Sequence, residues 1–309
     1  MVLIGCEKPV TDTPLTIHRC ADAPISRASA SAFVIGADAY VLGGRIAADW
    51  SYPNDFYRYN PDSDTWTRLP DLPFEGRCNI AAVVCGGKAY CGGGFAGEQK
   101  EPTSYKTDWW VFDGKAWQQL PDIPTQYTDG LISFSLENKV YIGYGYNHSW
   151  TAELFAFDTQ TNTWSDNLQP DFSHLHLGFC YACAQSGQHL FAGLGFDTYN
   201  VNRWSEYDAA SNSWIERASL PCKGGVFFAA TATDSHVYIA GGRAFGGSLT
   251  DGQLYDHVWS YNIQTDTWSK CGTLPQPTEN MIAFTIGRHV YFGLGEDADG
   301  KRLNHLYRL

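Results

Sequence analysis

The segment from His236 to Pro275 decides the fold: HVYIAGGR, then a loop, then HVWSYNIQTDTWSKCGTLP from His257 onward. A short apolar run stops at Gly241-Gly242, and a second run carries Trp259 and Tyr261. A turn built on Asn262 and Asp266 leads to a third run at Trp268, which stops at Pro275. Period-two alternation, β-branched and aromatic residues, and Gly, Asn, Asp and Pro at the breaks all argue for strands over helix.

The rest of the chain copies this unit. The glycine signal returns at Gly43-Gly44, Gly92-Gly93, Gly143 with Gly145, Gly193 with Gly195, Gly241-Gly242, and Gly293 with Gly295, which defines six units roughly 50 residues apart. Trp66, Trp117, Trp164, Trp214 and Trp268 keep the same beat, and a proline follows seven residues later at Pro73, Pro124, Pro221 and Pro275. In the third unit that place is Asp171, directly after Pro170. Paired glycines, Tyr-Asp or Tyr-Asn, and Trp recur as Tyr59-Asn60 with Trp66, Phe157-Asp158 with Trp164, Tyr207-Asp208 with Trp214, and Tyr261-Asn262 with Trp268. Over nearly the whole chain this pattern resembles the kelch repeat, and the resemblance implies an all-β fold: a six-bladed kelch β-propeller of the galactose oxidase-like propeller superfamily.

Each blade is expected to run strands a, b, c and d from the centre outward. In blade 1 these are placed at Ser29 to Ile35, Ala39 to Gly43, Asp55 to Tyr59 and Thr65 to Leu69. Thr16 to Pro24 aligns with Thr65 to Pro73, so Ile17 stands where Trp66 stands, while the sixth unit ends at Leu309 without a tryptophan strand. The N-terminal strand is therefore expected to complete the last blade and close the ring, which removes free sheet edges. Residues 15–309 form one propeller, expected as a monomer, and residues 1–14 a tether in front of it. Leu3-Ile4-Gly5-Cys6 resembles a bacterial lipobox, implying a lipid anchor at Cys6 and a place in the bacterial cell envelope. Only five residues precede Cys6, too few for the n- and h-regions of a signal peptide, so the front is trimmed, the start lies elsewhere, or the likeness is accidental.

Composition bounds the partners. A net charge of −12 with no run of Lys or Arg argues against nucleic acid and against an anionic membrane surface. The 15% aromatic content suits sheets packed face to face.

Strands a and b are antiparallel, so the loops leaving b and those leading into a share one face, and that face carries the length variation typical of binding loops. Before strand a stand Arg27, Arg77, Tyr127 with Asp129, His174 with His176, Lys223, and Glu279 with Asn280. After strand b stand Arg45, Phe95 with Glu98, Tyr146 with His148, Phe196 with Asp197, Arg243 and Glu296. Arginine offers a planar fork to carboxylate or phosphate, and a carboxylate can move a proton. Aromatic faces stack on sugars. The expectation is a mouth that binds a protein or glycan, with an acidic sugar among the candidates. Most kelch propellers resemble such recognition modules. The alternative implied by the resemblance is a carbohydrate-active enzyme such as an N-acetylneuraminate mutarotase, with Glu296 as the catalytic acid/base and Arg27, Arg45, Arg77 and Arg243 around it.

Other chemistries find little support. His174, His176, Cys180 and Cys183 have metal-ligand types, but Cys183 points to the opposite face of an extended strand from the other three. Cys180 and Cys183 would lie about 10 Å apart along the strand, too far for a disulfide. The nine cysteines show no regular framework, and Cys85 with Cys91 around Gly86-Gly87 is the one pair whose register would decide a bond. A copper radical site of the galactose oxidase type needs a cysteine on the mouth, and none is expected there. The glycine pairs end strands without a following helix, no Gly-x-Ser-x-Gly elbow occurs, and neither cofactor nor metal is expected.

Overall fold

Six antiparallel four-stranded sheets surround one axis, four of them built from consecutive strands, one interrupted by a small hairpin and one joining the two ends of the chain. The computed structural model describes residues 15–46, 51–97, 101–175, 181–248 and 251–309. Cys6 with its lipobox-like stretch, Glu98, His176 and Cys180 lie outside them. Blade 1 consists of Ser31–Ile35, Asp38–Leu42, Phe56–Asn60 and Thr65–Leu69. Blade 2 repeats it with Ala81–Cys85, Lys88–Gly92, Trp109–Phe112 and Trp117–Leu120. Blades 3, 4 and 5 begin at Ile132–Leu136, Ala182–Ser186 and Ala229–Ala232.

Blade 6 takes Ile282–Ile286, His289–Gly293 and Leu306–Arg308 from the C-terminus and His18–Arg19 from the N-terminal side. His18 pairs with Arg308 and Arg19 with Tyr307, and the Cys20 and Ala23 amides donate to the Leu306 and Asn304 carbonyls at 2.9 and 2.8 Å. The expected closure is thus formed by a short strand within the stretch Thr16 to Pro24. Innermost strands touch their neighbours all the way round, including blade 6 against blade 1.

Strand a starts two residues later than expected. Ser29 has a φ of 55°, and its equivalents Asn79, Gly130, Phe227 and Asn280 also have positive φ, so the chain turns there before it can join a ladder. That turn points amides around the axis. Asn79 donates to the Ser29 carbonyl at 3.1 Å, Ser29 to Asn280 at 3.0 Å, and Asn280 to Phe227 at 3.2 Å, an inner hoop linking neighbouring blades.

Aromatic wedges fill the space between blades. Phe33, Tyr40 and Phe56 of blade 1 pack against Cys91 and Phe112 of blade 2, and Tyr59 packs against Phe284 and Tyr291 of blade 6. Phe33 stacks on Tyr40 at 5.1 Å, and Phe284 on Tyr291 at 4.9 Å. Fully burying one such ring contributes about 1.5–3 kcal/mol. The cysteine question resolves by register: Cys91 pairs with Ala82 and Cys85 with Lys88, and both thiols are free and buried in different wedges.

Two arginines assigned to the mouth brace the blades instead. Arg27 donates to the Gly43 carbonyl at 2.9 Å and to Asp55 at 2.8 Å, and is 1% exposed. Arg77 grips Asp108 through both Nη atoms at 2.5 and 2.7 Å while its guanidinium sits 4.9 Å from the Phe74 ring. Burial works to raise Asp108, but the Arg77 hydrogen bonds and charge, with help from Trp110, hold it below the ordinary carboxylate value.

Two outcomes are expected from this architecture. Arg77→Met leaves Asp108 without its countercharge and should cost about 3 kcal/mol in urea unfolding, part of it recovered by adding Asp108→Asn. The depressed pKa gives stability that is present above the unfolded value and lost as pH falls through the folded one, so the variant should also lose that acid-sensitive component. Deleting residues 1–24 should expose the outer edge of Leu306–Arg308 and lower the melting temperature; an unchanged melting curve would contradict the closure.

Candidate functional site

In each of five blades the residue before the positive-φ turn pairs with the residue that follows strand b. The pairs are Ala28 with Arg45, Cys78 with Phe95, Asp129 with Tyr146, Val226 with Arg243, and Glu279 with Glu296. The loop after strand b then turns back and lays one more residue alongside: Tyr105 beside Phe95, Trp150 beside Tyr146, Leu254 beside Arg243, and Arg302 beside Glu296. These bridges put repeat-equivalent side chains around the axis. They line a funnel of about 1030 Å³ that also takes in Asn79, Tyr181, Phe227, Phe228 and Asn280.

The funnel is polarised. Blades 5, 6 and 1 supply a charged wall. Arg243 grips Glu279 through Nε at 2.8 Å and Nη2 at 2.6 Å, both side chains being buried. Glu296 accepts from Arg45 at 2.7 Å and Asn280 at 2.9 Å on one oxygen, and faces Arg302 at 2.8 Å on the other. Burial raises Glu279 against the pull of the Arg243 bonds, and the charge of Glu296 adds to the rise. Burial and the nearby Arg45 charge lower the Arg302 guanidinium despite Glu296. Three guanidiniums meet two buried carboxylates here, with the third carboxylate, Asp299, exposed at the lip, so the formal charges balance while Arg45 and Arg302 share the one buried carboxylate of Glu296. The Arg302 Nε is buried without an acceptor among the described residues.

Blades 2, 3 and 4, with Tyr52 of blade 1, supply an aromatic wall. Tyr52, Phe95, Tyr105, Tyr146, Trp150 and Tyr181 form an unbroken chain of ring contacts with centroids 5.1 to 6.4 Å apart. Trp150 is 41% exposed, so its face is available to solvent. Within this wall sits Asp129, whose Oδ1 accepts from the Asn79 amide at 2.8 Å. Desolvation pushes its carboxyl up to about 6 against that bond and the Gly130 amide. No Lys, Arg or His among the described residues forms an ion pair with it.

Of the residues expected at the mouth, Arg45, Asp129, Tyr146, Arg243, Glu279, Asn280 and Glu296 meet in the funnel. Phe196 and Lys223 lie together in a shallower groove of about 440 Å³ at the rim between blades 4 and 5, beside Tyr199 and Phe245. Tyr127, His148, His174 and Asp197 line neither space: His148 is exposed against Tyr105, His174 is exposed, and Asp197 is exposed on a small hairpin of Phe196–Asp197 and Tyr199–Asn200. Arg302, Trp150, Asn79 and Tyr181 line the funnel without having been anticipated. The loops that carry Arg302 and Trp150 differ in length from blade to blade, so no fixed offset from the glycine pair marks them.

The geometry agrees with what the chain is similar to. The KLHDC2/KLHL20/DRC7 Kelch-repeats domain matches residues 29–242, and the Kelch motif matches residues 224–275. The putative protein tag-53 of Caenorhabditis elegans is 24% identical over 93% of this chain, and the Kelch-like protein terF of Aspergillus terreus 28% identical over 74%. Kelch domain-containing protein 3 of Bos taurus is 24% identical over 74% of this chain. The chain spans 23%, 52% and 65% of the lengths of these three relatives. Among solved structures, that of YjhT superposes with a TM-score of 0.76 at 17% identity, covering 93% of this chain and 95% of that one, which is a likeness of fold. The chain belongs to the kelch-repeat family, by way of its KLHDC2/KLHL20/DRC7 Kelch-repeats domain.

Proposed function

We propose that the chain is a recognition module whose axial funnel binds a ligand carrying one anionic group and one flat, stackable face, as an acidic glycan or an acidic protein segment does. The observation that carries this reading is the polarity of the funnel: on blades 1 and 6 the Arg45 and Arg302 guanidiniums share one buried carboxylate, Glu296, and they face an aromatic wall centred on blades 2 to 4. Its volume stands at the upper end of the range that binds small ligands. Arg45 and Arg302 present forked donors suited to a carboxylate, and Trp150 with Tyr146 presents ring faces. Kelch propellers generally bind protein partners, and the rim beside Tyr199 offers further contact area for one.

The alternative of a carbohydrate-active enzyme gains a different candidate from the structure. Glu296 already holds Arg45, Asn280 and Arg302 on its two oxygens, which suits a clamp better than a proton carrier. Asp129, titrating near 6 in the same funnel, has the proton affinity that an acid/base group requires near neutral pH.

The test is a thermal-shift and NMR titration with N-acetylneuraminate, uronic acids, neutral sugars and acidic peptides. Acidic members should bind and neutral sugars should not. Arg302→Met should weaken the acidic ligand about tenfold, equivalent to ~1.4 kcal/mol. Trp150→Ala, at an exposed position, should weaken binding while changing stability by no more than about 0.5 kcal/mol. Equal binding of neutral and acidic members, or no shift of funnel resonances by any of them, would overturn the reading.

A further inference from the structure

The mouth carboxylates are not equivalent. Of the carboxylates lining the funnel, Glu279 and Glu296 each have a guanidinium within 2.8 Å and Asp299 stands exposed at the lip, whereas Asp129, within the wall, has an amide, Asn79. Glu279 and Asp129 occupy the same place in their repeats, since each precedes a positive-φ residue and pairs with the residue after strand b. In blade 6 the repeat fills that place with an ion pair already made, and in blade 3 it leaves the carboxylate facing a cavity. Around it lie ring faces: Tyr146 is its bridge partner, Trp150 lies 5.1 Å from Tyr146, and Tyr105 feels its charge. A carboxylate beside aromatic faces in a partly dry cavity is a receptor for an ammonium group. The opposite wall, where Arg45 and Arg302 share the single carboxylate of Glu296, is a receptor for an anion.

We propose that the funnel is built for a zwitterionic ligand, whose anionic end is held by Arg45 and Arg302 and whose ammonium end is held by Asp129 against Tyr146 and Trp150. This rests on the reading of the funnel as the ligand site. The shared chemistry is one ammonium and one carboxylate on a compact frame, and both an aminated uronic acid and a free dipeptide supply it. A ligand with a carboxylate alone leaves Asp129 desolvated and unpaired. A ligand with an amine alone meets the wrong charge at Arg302.

Protonation of Asp129 sets the pH dependence. The titratable and charged groups around it are Cys78, Tyr52, Tyr105 and its bridge partner Tyr146, and the charge of Arg45 also reaches Cys78 and Tyr52. Burial pushes the Cys78 thiol and the Tyr52 and Tyr105 phenols upward, out of the range in which Asp129 titrates. With its carboxyl at about 6, the ionised fraction falls to about one tenth at pH 5. A raised carboxyl favours the folded state at low pH and loses that advantage as pH rises through about 6. Asp129→Asn is therefore expected to keep its bond to Asn79 and to melt no lower than the wild type at pH 7.5.

The experiment measures dissociation constants on the whole chain in two matched series. One contains 2-amino-2-deoxyglucuronate, glucuronate and glucosamine; the other contains Tyr-Ala, N-acetyl-Tyr-Ala and Tyr-Ala amide. In one of the series the zwitterion should bind at least about tenfold tighter than both singly charged members at pH 7.5. The margin over the carboxylate-only member should shrink towards one at pH 5, and Asp129→Asn should remove it without weakening the carboxylate-only member. The series that shows the margin identifies the source of the ligand. Carboxylate-only members binding as tightly as the zwitterions in both series would overturn the ammonium site while leaving the anion-binding funnel standing. Absence of funnel resonance shifts with all six compounds would overturn both.

Discussion

The interaction on which the ring depends is a single amide bond repeated around the axis. In five of the six blades the glycine that follows strand b donates its N–H to a carbonyl at the start of the next blade: Gly44 to Arg77 at 2.9 Å, Gly94 to Thr128 at 2.7 Å, Gly195 to Gly225 at 2.7 Å, Gly242 to Thr278 at 2.9 Å, and Gly295 to Arg27 at 2.8 Å. The last of these crosses from blade 6 to blade 1, so the same bond serves at the closure as elsewhere. Glycine is required by space as well as by conformation. A Cβ on Gly241 would lie 2.1 Å from the Thr278 carbonyl, at a φ of 64°. Blade spacing at the axis is thereby set by backbone contact, with no side chain between.

The remaining parts of the repeat secure the outer end of each blade. In blade 5 the Tyr261 hydroxyl donates to Asp266 at 2.7 Å, Asp266 accepts the Ala218 amide of blade 4 at 2.8 Å, and the Trp268 Nε1 donates to the Ala218 carbonyl at 2.7 Å. Blade 1 repeats this with Tyr59, Asp64 and Trp66 against Ala21. Asp64 and Asp266 adopt positive φ, which Asp and Asn tolerate best among residues with a side chain. In these two blades the tyrosine, the turn aspartate and the tryptophan of the repeat are therefore engaged in joining one blade to the next, while Asn60 and Asn262 hold their own turns. The axis-facing positions are left free to differ, which is how a chain 17% identical to a solved propeller can share its fold at a TM-score of 0.76 while presenting its own funnel.

This division explains what the sequence disclosed. Blade number, strand order and closure were legible because glycine pairs, Tyr-Asx and Trp recur at one period, and each has one structural task. The location of the funnel face was legible too, from the antiparallel relation of strands a and b. Errors at the site came from a shift of a residue or two. Arg27 and Arg77 precede the bridging positions Ala28 and Cys78, and that step turns their side chains away from the axis into the seam, towards Asp55 and Asp108. Arg45 and Arg243 do occupy bridging positions and reach the funnel. The residues not anticipated, Arg302 and Trp150, return from loops of unequal length, and only the completed backbone shows that both come to rest beside the residue after strand b.

The same alternation bears on how selective the funnel can be. Forked pairs such as Arg243 with Glu279 are buried and fixed by two bonds each, so they stay in place when a ligand arrives and offer it a preorganised field. Breaking such a pair leaves a buried charge uncompensated, a cost of about 3–5 kcal/mol that a small ligand cannot readily offset. Recognition must then come from groups not locked in such pairs, and among the described residues of this funnel these include Arg302, whose Nε lacks an acceptor, on one wall and the Asp129 carboxyl, held by an amide, on the other. One is a donor on a cationic group and the other an acceptor that becomes anionic. A ligand that answers only one of them leaves the other desolvated, and that asymmetry, more than the number of charged residues around the mouth, is what lets a rigid ring discriminate between ligands of similar size.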